Sequence, residues 1–123
     1  MDRETEAIVA VVDDDDDVSD VLRGLLEIVG YQVVTFPSGE ELLTDARLAD
    51  VACLVVDQNM PGMTGIELLR ELKAMGNTTP SLLITGAHDE AVAREALEIG
   101  AMKVLEKPMA TSELLRFIRF AVD

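Results

Sequence analysis

Short apolar runs alternate with longer segments in which apolar residues recur at three- and four-residue intervals, and this alternation occurs five times. Ala7–Val12 is the first apolar run and predicts a strand. Val18, Val21, Leu22, Leu25, Leu26 and Val29 then fall on one helical face, closed by Gly30. Tyr31–Phe36 predicts the second strand. Ser38-Gly39-Glu40-Glu41 has capping-box spacing and opens a helix expected to carry Leu42, Leu43 and Ala46 inward. Val51–Val56 reads as the third strand. Thr64-Gly65-Ile66-Glu67 caps a helix with Ile66, Leu69 and Leu72 on its buried stripe, ending at Gly76. After Pro80, Ser81–Thr85 is the fourth strand, followed by a helix over Asp89–Ile99 that ends at Gly100. Met102–Glu106 and Ser112–Val122 complete the pattern as the fifth strand and last helix.

Several of the strand runs are apolar throughout, without alternation. Such strands require cover on both faces, as in parallel sheets flanked by helices. Five strand–helix units with short connections predict a doubly wound α/β fold with strand order 2-1-3-4-5. Residues 1–123 read as one domain, without repeats or a low-complexity linker.

Composition narrows the chemistry. Net charge is −14, from 24 acidic and 10 basic residues. So negative a surface repels nucleic-acid phosphates and anionic lipid, so neither is expected as a direct partner. Divalent cations and basic protein faces are favoured instead. Aromatics are only 3%, so the core must be aliphatic. Cys53, the only cysteine, lies inside an apolar run and reads as a small buried thiol in a reducing compartment. The acidic start and the shortness of the following apolar run argue against a signal sequence, and no stretch approaches membrane-spanning length. The expected location is cytoplasmic.

In an open parallel sheet, ligands bind beyond the carboxyl ends of the strands. The unusual polar residues fall on that edge: Asp13 and Asp14 after strand one, Asp57 after strand three, Thr85 at the end of strand four, and Lys107 after strand five. With strands one and three adjacent, their carboxylates meet. Clustered carboxylates are unfavourable unless a cation neutralises them or one takes up a proton. Oxygen-only ligands with room for water and phosphate oxygens suit Mg²⁺. A carboxylate can serve as nucleophile toward phosphorus, a lysine can hold a phosphoryl oxygen as a point charge, and a threonine hydroxyl can donate to another. Asp15, Asp16 and Asp17 are better read as the cap and first turn of helix one.

Val11-Val12-Asp13-Asp14, Leu54-Val55-Val56-Asp57 with Met60-Pro61-Gly62, Leu83-Ile84-Thr85-Gly86-Ala87 and Glu106-Lys107-Pro108 together resemble the receiver domain of two-component response regulators, over essentially the whole chain. The resemblance implies that Asp57 accepts a phosphoryl group from a sensor histidine kinase or a histidine phosphotransfer protein. It implies direct Mg²⁺ ligation by Asp14 and Asp57, Asp13 acting through water, and a ligand from the Asn59 backbone carbonyl. Thr85 and Lys107 would bind the phosphoryl group, Gly86 would leave its approach open, and the Lys107–Pro108 bond would be cis. One departure stands out. The aromatic usual three residues before the lysine is Val104 here, so a switch must use other groups.

The last helix is apolar on more than one face. Phe117, Phe120 and Val122 extend its stripe toward a partner or homodimer surface involving helix four, strand five and helix five; a broad buried face is the alternative. His88 reads as a solvated loop residue. Asp14-Asp15-Asp16-Asp17-Val18 also fits the signature of haloacid-dehalogenase-type phosphatases, with Asp14 as nucleophile, but that leaves Asp57 without a role. A calcium loop fails because Val18 and Gly24 occupy its glycine and twelfth positions. A flavin module fails because its phosphate would face five aspartates. The reading is a phosphoacceptor switch, not a turnover enzyme.

Overall fold

A computed structural model describes residues 7–86 and 88–123. The acidic start and Ala87 of the third motif lie outside the described residues.

The sheet is parallel, with order β2-β1-β3-β4-β5 as the sequence predicts. Its strands are β1 Ile8–Val12, β2 Gln32–Phe36, β3 Val51–Asp57, β4 Ser81–Thr85 and β5 Lys103–Glu106. The helices are α1 Asp16–Ile28, α2 Gly39–Leu43, α3 Gly65–Ala74, α4 Glu90–Ile99 and α5 Thr111–Val122. Each boundary lies within two residues of the pattern except in α2.

Period-two alternation along buried strands sends side chains to two separate cores. Val9, Val11, Cys53, Val55, Leu82, Ile84 and Leu105 face α1 and α5, meeting Leu22, Leu26, Leu114 and Ile118. Ala10, Val12, Leu54, Val56 and Leu83 face the opposite side and pack with residues of α2, α3 and α4. Fully burying one such leucine or valine stabilises the fold by about 1.5–3 kcal/mol. These two layers fix the strand ends, and so the rim that carries the polar residues.

Local signals account for the helix ends. Asp15 is the N-cap of α1, its side chain accepting from Asp17 N–H and Val18 N–H, with Asp16 and Asp17 in the first turn. Thr64 and Glu67 form the reciprocal capping box of α3. Gly30, Gly76 and Gly100 follow α1, α3 and α4 at positive φ, which a residue with a Cβ adopts only under strain.

Two expectations require correction, and a third divides between its two alternatives. The helix opened by Ser38 does not run through Ala46. Asp45 caps a separate 3₁₀ turn over Ala46–Asp50, accepting from Arg47 N–H and pairing with the Arg47 guanidinium at 2.9 Å, so Ala46 is exposed and Leu48 is the inward residue. The buried stripe of α1 is narrower than its apolar periodicity. Leu22 and Leu26 are buried, whereas Val18, Val21 and Val29 are exposed, because α1 meets the sheet along a single i, i+4 line. In α5 the apolar surplus divides. Val122 joins the margin of the core, Phe117 is half-buried with Lys103 Nζ 4.8 Å from its ring centroid, and Phe120 is 69% exposed.

Candidate phosphoryl and metal site

The parallel pairing of β1 with β3 sets Val12 opposite Val56, so the residues that follow them meet at the carboxyl rim. Carboxylate oxygens of Asp13, Asp14 and Asp57 lie within 4.8 Å of one another. Asp13 and Asp57 are buried, and Asp14 is exposed. Burial is the main reason the Asp13 carboxyl is held above the ordinary aspartate range. The charges of Asp57 and Asp14 add to that effect, while the Asp15 N–H, which Asp13 Oδ1 accepts at 2.9 Å, and Lys107 oppose it.

β4 and β5 bring the remaining groups. Lys107 follows β5, and its backbone N–H donates to Thr85 O at 2.9 Å. Its ammonium lies 2.9 Å from Asp57 Oδ1. Charge attraction across that short distance holds the pair. Pairing with Asp57 raises the Lys107 ammonium above the usual lysine range, Asp13 and Asp15 contributing and partial burial opposing. The other Asp57 oxygen, Oδ2, accepts the Asn59 N–H at 3.1 Å. Lys107–Pro108 is cis, as the resemblance implied.

Thr85 is fully buried, and its hydroxyl has no hydrogen-bond partner among the described residues. A buried hydroxyl without a partner is costly, and it marks a group oriented for something other than stability. Asn59 itself is exposed beside the cluster. A methyl group added at Gly86 would meet no atom within 4 Å, so the approach there is open.

Two contributors were not singled out in the sequence. Gln58 organises the loop after β3: its N–H donates to Ile84 O, its carbonyl accepts from Gly65 N–H, and its side-chain oxygen accepts from Ile66 N–H at 2.8 Å. Gly65 lets α3 start against the strand end, since a Cβ there would stand 2.8 Å from Asp57 O and 2.6 Å from Leu83 Cδ1. A glycine at the first position of a capped helix was the available signal for that close approach. Val104 is half-buried against the α3–α4 side of the core and borders an open groove of about 450 Å³ between α4 and β5. His88 is exposed as expected, yet its N–H donates to Glu106 Oε2 at 2.9 Å.

The cluster therefore offers carboxylate oxygens that could hold a metal ion, next to a lysine ammonium, with the unpartnered Thr85 hydroxyl at the end of the adjacent strand β4. Among the described residues, no helix is long and apolar enough to cross a membrane.

Known proteins share this organisation. The response regulator receiver domain family matches residues 9–119. The transcriptional regulatory protein FixJ of Bradyrhizobium diazoefficiens is 36% identical over 96% of this chain, which spans 58% of FixJ. The response regulator protein TodT of Pseudomonas putida is 34% identical over 94% of the chain and 51% of TodT. The chain thus spans little more than half the length of these relatives. Among solved structures, FixJ-N superposes with a TM-score of 0.85 at 36% identity, covering 95% of this chain and 94% of that one. The chemotaxis protein CheY4 of Vibrio cholerae gives 0.85 at 30% identity, covering 94% and 98%. With the sheet order, the rim and the sequence in agreement, the chain belongs to the response regulator receiver domain family.

Proposed function

We propose that this chain is a phosphoacceptor switch in which Asp57 takes a phosphoryl group from a histidine of a sensor kinase or of a histidine phosphotransfer protein. The observation that carries the reading is the pairing of a 4%-exposed Asp57 with the Lys107 ammonium at 2.9 Å, beside two further aspartates. An Asp57 carboxylate oxygen attacks phosphorus, the P–N bond to the donor imidazole breaks, and the bonding pair returns to the ring nitrogen, which is neutral or takes a proton from solvent. Lys107 draws off charge from one phosphoryl oxygen. The free Thr85 hydroxyl donates to another, which supplies the partner it lacks.

Asp13, Asp14, Asp57 and the Asn59 carbonyl would hold Mg²⁺. An all-oxygen donor set with one exposed carboxylate fits a hard, partly hydrated cation better than zinc. When bound, Mg²⁺ offsets the charge on the transferred group. The same residues serve to release the phosphoryl group to water, and no substrate is turned over. Membership in the receiver family leaves the Asp14-nucleophile alternative without support.

Output would pass through protein contacts. Residues 90–123 hold five of the ten basic residues but only six of the 24 acidic ones. The face built from α4, β5 and α5 is therefore close to neutral, and two copies can meet there without the repulsion that operates elsewhere. Exposed Leu97 and Phe120 supply apolar surface on it.

Incubation with a small acyl phosphate and Mg²⁺ yields a singly phosphorylated species by intact mass, and Asp57→Asn abolishes it. Stoichiometric phosphorylation of Asp57→Asn would overturn the assignment.

A further inference from the structure

Glu106 closes β5 opposite Thr85, and nothing in the phosphoryl chemistry uses its side chain. Its carboxylate reaches past the strand end to accept the His88 N–H at 2.9 Å. His88 has a φ of 69°, the one non-glycine among the described residues in the left-handed region. A side chain there is disfavoured, so an outside contact is needed to keep the residue in place. Acceptance of its N–H by a carboxylate is such a contact, and a charge-assisted one.

The connection from β4 to α4 is thereby fastened to the end of β5 at two points. Lys107 N–H holds Thr85 O at the start, and Glu106 holds His88 N–H three residues later. Lys107 also pairs with Asp57. A shift of Thr85 toward a group on Asp57 would act on a segment whose far end, three residues on, is held by Glu106. Val104 supplies no ring to report that movement, and the groove beside it, bordered also by His88, Ala93, Leu97 and Glu106, is open.

We propose that Glu106 is a positioning residue whose carboxylate holds the β4–α4 connection in its resting conformation through the His88 amide, and that phosphorylation of Asp57 reaches the α4 face by loss of that bond. The proposal rests on the phosphoacceptor reading above. It assigns to a carboxylate the reporting task for which Val104 is unsuited.

The test follows the His88 amide by NMR hydrogen exchange in the full chain, before and after phosphorylation by acetyl phosphate with Mg²⁺. Protection is expected in the resting protein, with exchange about fivefold faster in Glu106→Ala, the size expected for losing one exposed hydrogen bond. Glu106→Gln keeps an accepting oxygen and most of the protection. Phosphorylation of the unaltered chain accelerates exchange at His88 but adds little in Glu106→Ala, which is itself phosphorylated at Asp57 about fivefold faster because the restraint is gone. If His88 exchanges alike in the unaltered chain and Glu106→Ala, or alike before and after phosphorylation, this proposal alone falls. If the unaltered chain forms no phosphorylated species, the phosphoacceptor reading falls and takes the proposal with it.

Discussion

Lys107 reaches Asp57 from the solvent side: its own side chain is 47% exposed, whereas the carboxylate it neutralises, 2.9 Å away, is 4% exposed. The buried partner depends on the exposed one. Lys107→Ala leaves Asp57 uncompensated beside Asp13 and Asp14, and a stability loss of about 1–2 kcal/mol is expected, discounted from fully buried pairs because water can reach the site. Urea unfolding at pH 7 with a chelator measures it. Addition of Mg²⁺ is expected to recover most of the loss while phosphorylation stays slow.

Asp13 opposes folding at neutral pH. Its folded pKa lies above the unfolded value of 3.8, chiefly through burial, so the folded state binds the proton more tightly. The cost is absent below the unfolded value, grows as pH rises from there through the raised value, and is fully present above it. Asp13→Asn, whose amide oxygen still accepts the Asp15 N–H, is therefore expected to raise the melting temperature by about 2–5 °C at pH 7 without metal. The gain shrinks toward pH 4. An unchanged melting temperature at pH 7 would contradict it.

Mg²⁺ at millimolar concentration is expected to raise the melting temperature, the folded state gaining about 2.7 kcal/mol when the cation is at one hundred times its dissociation constant. Asp14→Ala, which takes away the exposed carboxylate of the cluster, is expected to remove most of that shift. An equal shift in Asp14→Ala would place the cation elsewhere.

Thr85→Val separates stability from activity. It replaces an unpartnered buried hydroxyl with a methyl group of similar shape, so a gain of about 1 kcal/mol is expected in chelator. Phosphorylation is expected to slow by about tenfold, the equivalent of one lost charge-assisted hydrogen bond. Chemical denaturation and an acyl-phosphate time course measure the two effects independently.

Gly65→Ala tests the packing beneath the site. The new Cβ would press on Asp57 O and Gln58 Cα, which are backbone and cannot swing away. A loss of about 1–3 kcal/mol is expected from overpacking, with slower phosphorylation because the Asp57 strand end shifts.

How much of this was written in the chain depends on the physics involved. Asp13, Asp57 and Thr85 each follow or end an apolar run, and Lys107 follows Val104-Leu105 with one residue, Glu106, between; strand ends are visible because hydrophobic runs stop abruptly. The sheet order then juxtaposes them. Periodicity could not reveal how wide a stripe α1 buries, since Val18 and Val21 are as apolar as Leu22 and only the approach of the sheet separates them. The break after α2 was obscured because Asp45 reads equally as a helix-interior residue and as a new cap. Gln58 and the Glu106–His88 contact went unseen for another reason. Both act through backbone amides of other elements, and such partners exist only once the chain is folded.

Cys53 sits in the middle strand at 2% exposure, with burial pushing its thiol up to about 12. At neutral pH almost none of it is the reactive thiolate. A cysteine introduced at an exposed position, such as Leu97, would therefore be the one that takes a fluorophore or spin label, leaving the native thiol in place as filling for the core. Pairwise distance measurements across a dimer, or between Leu97 and a labelled kinase, can begin from the natural sequence.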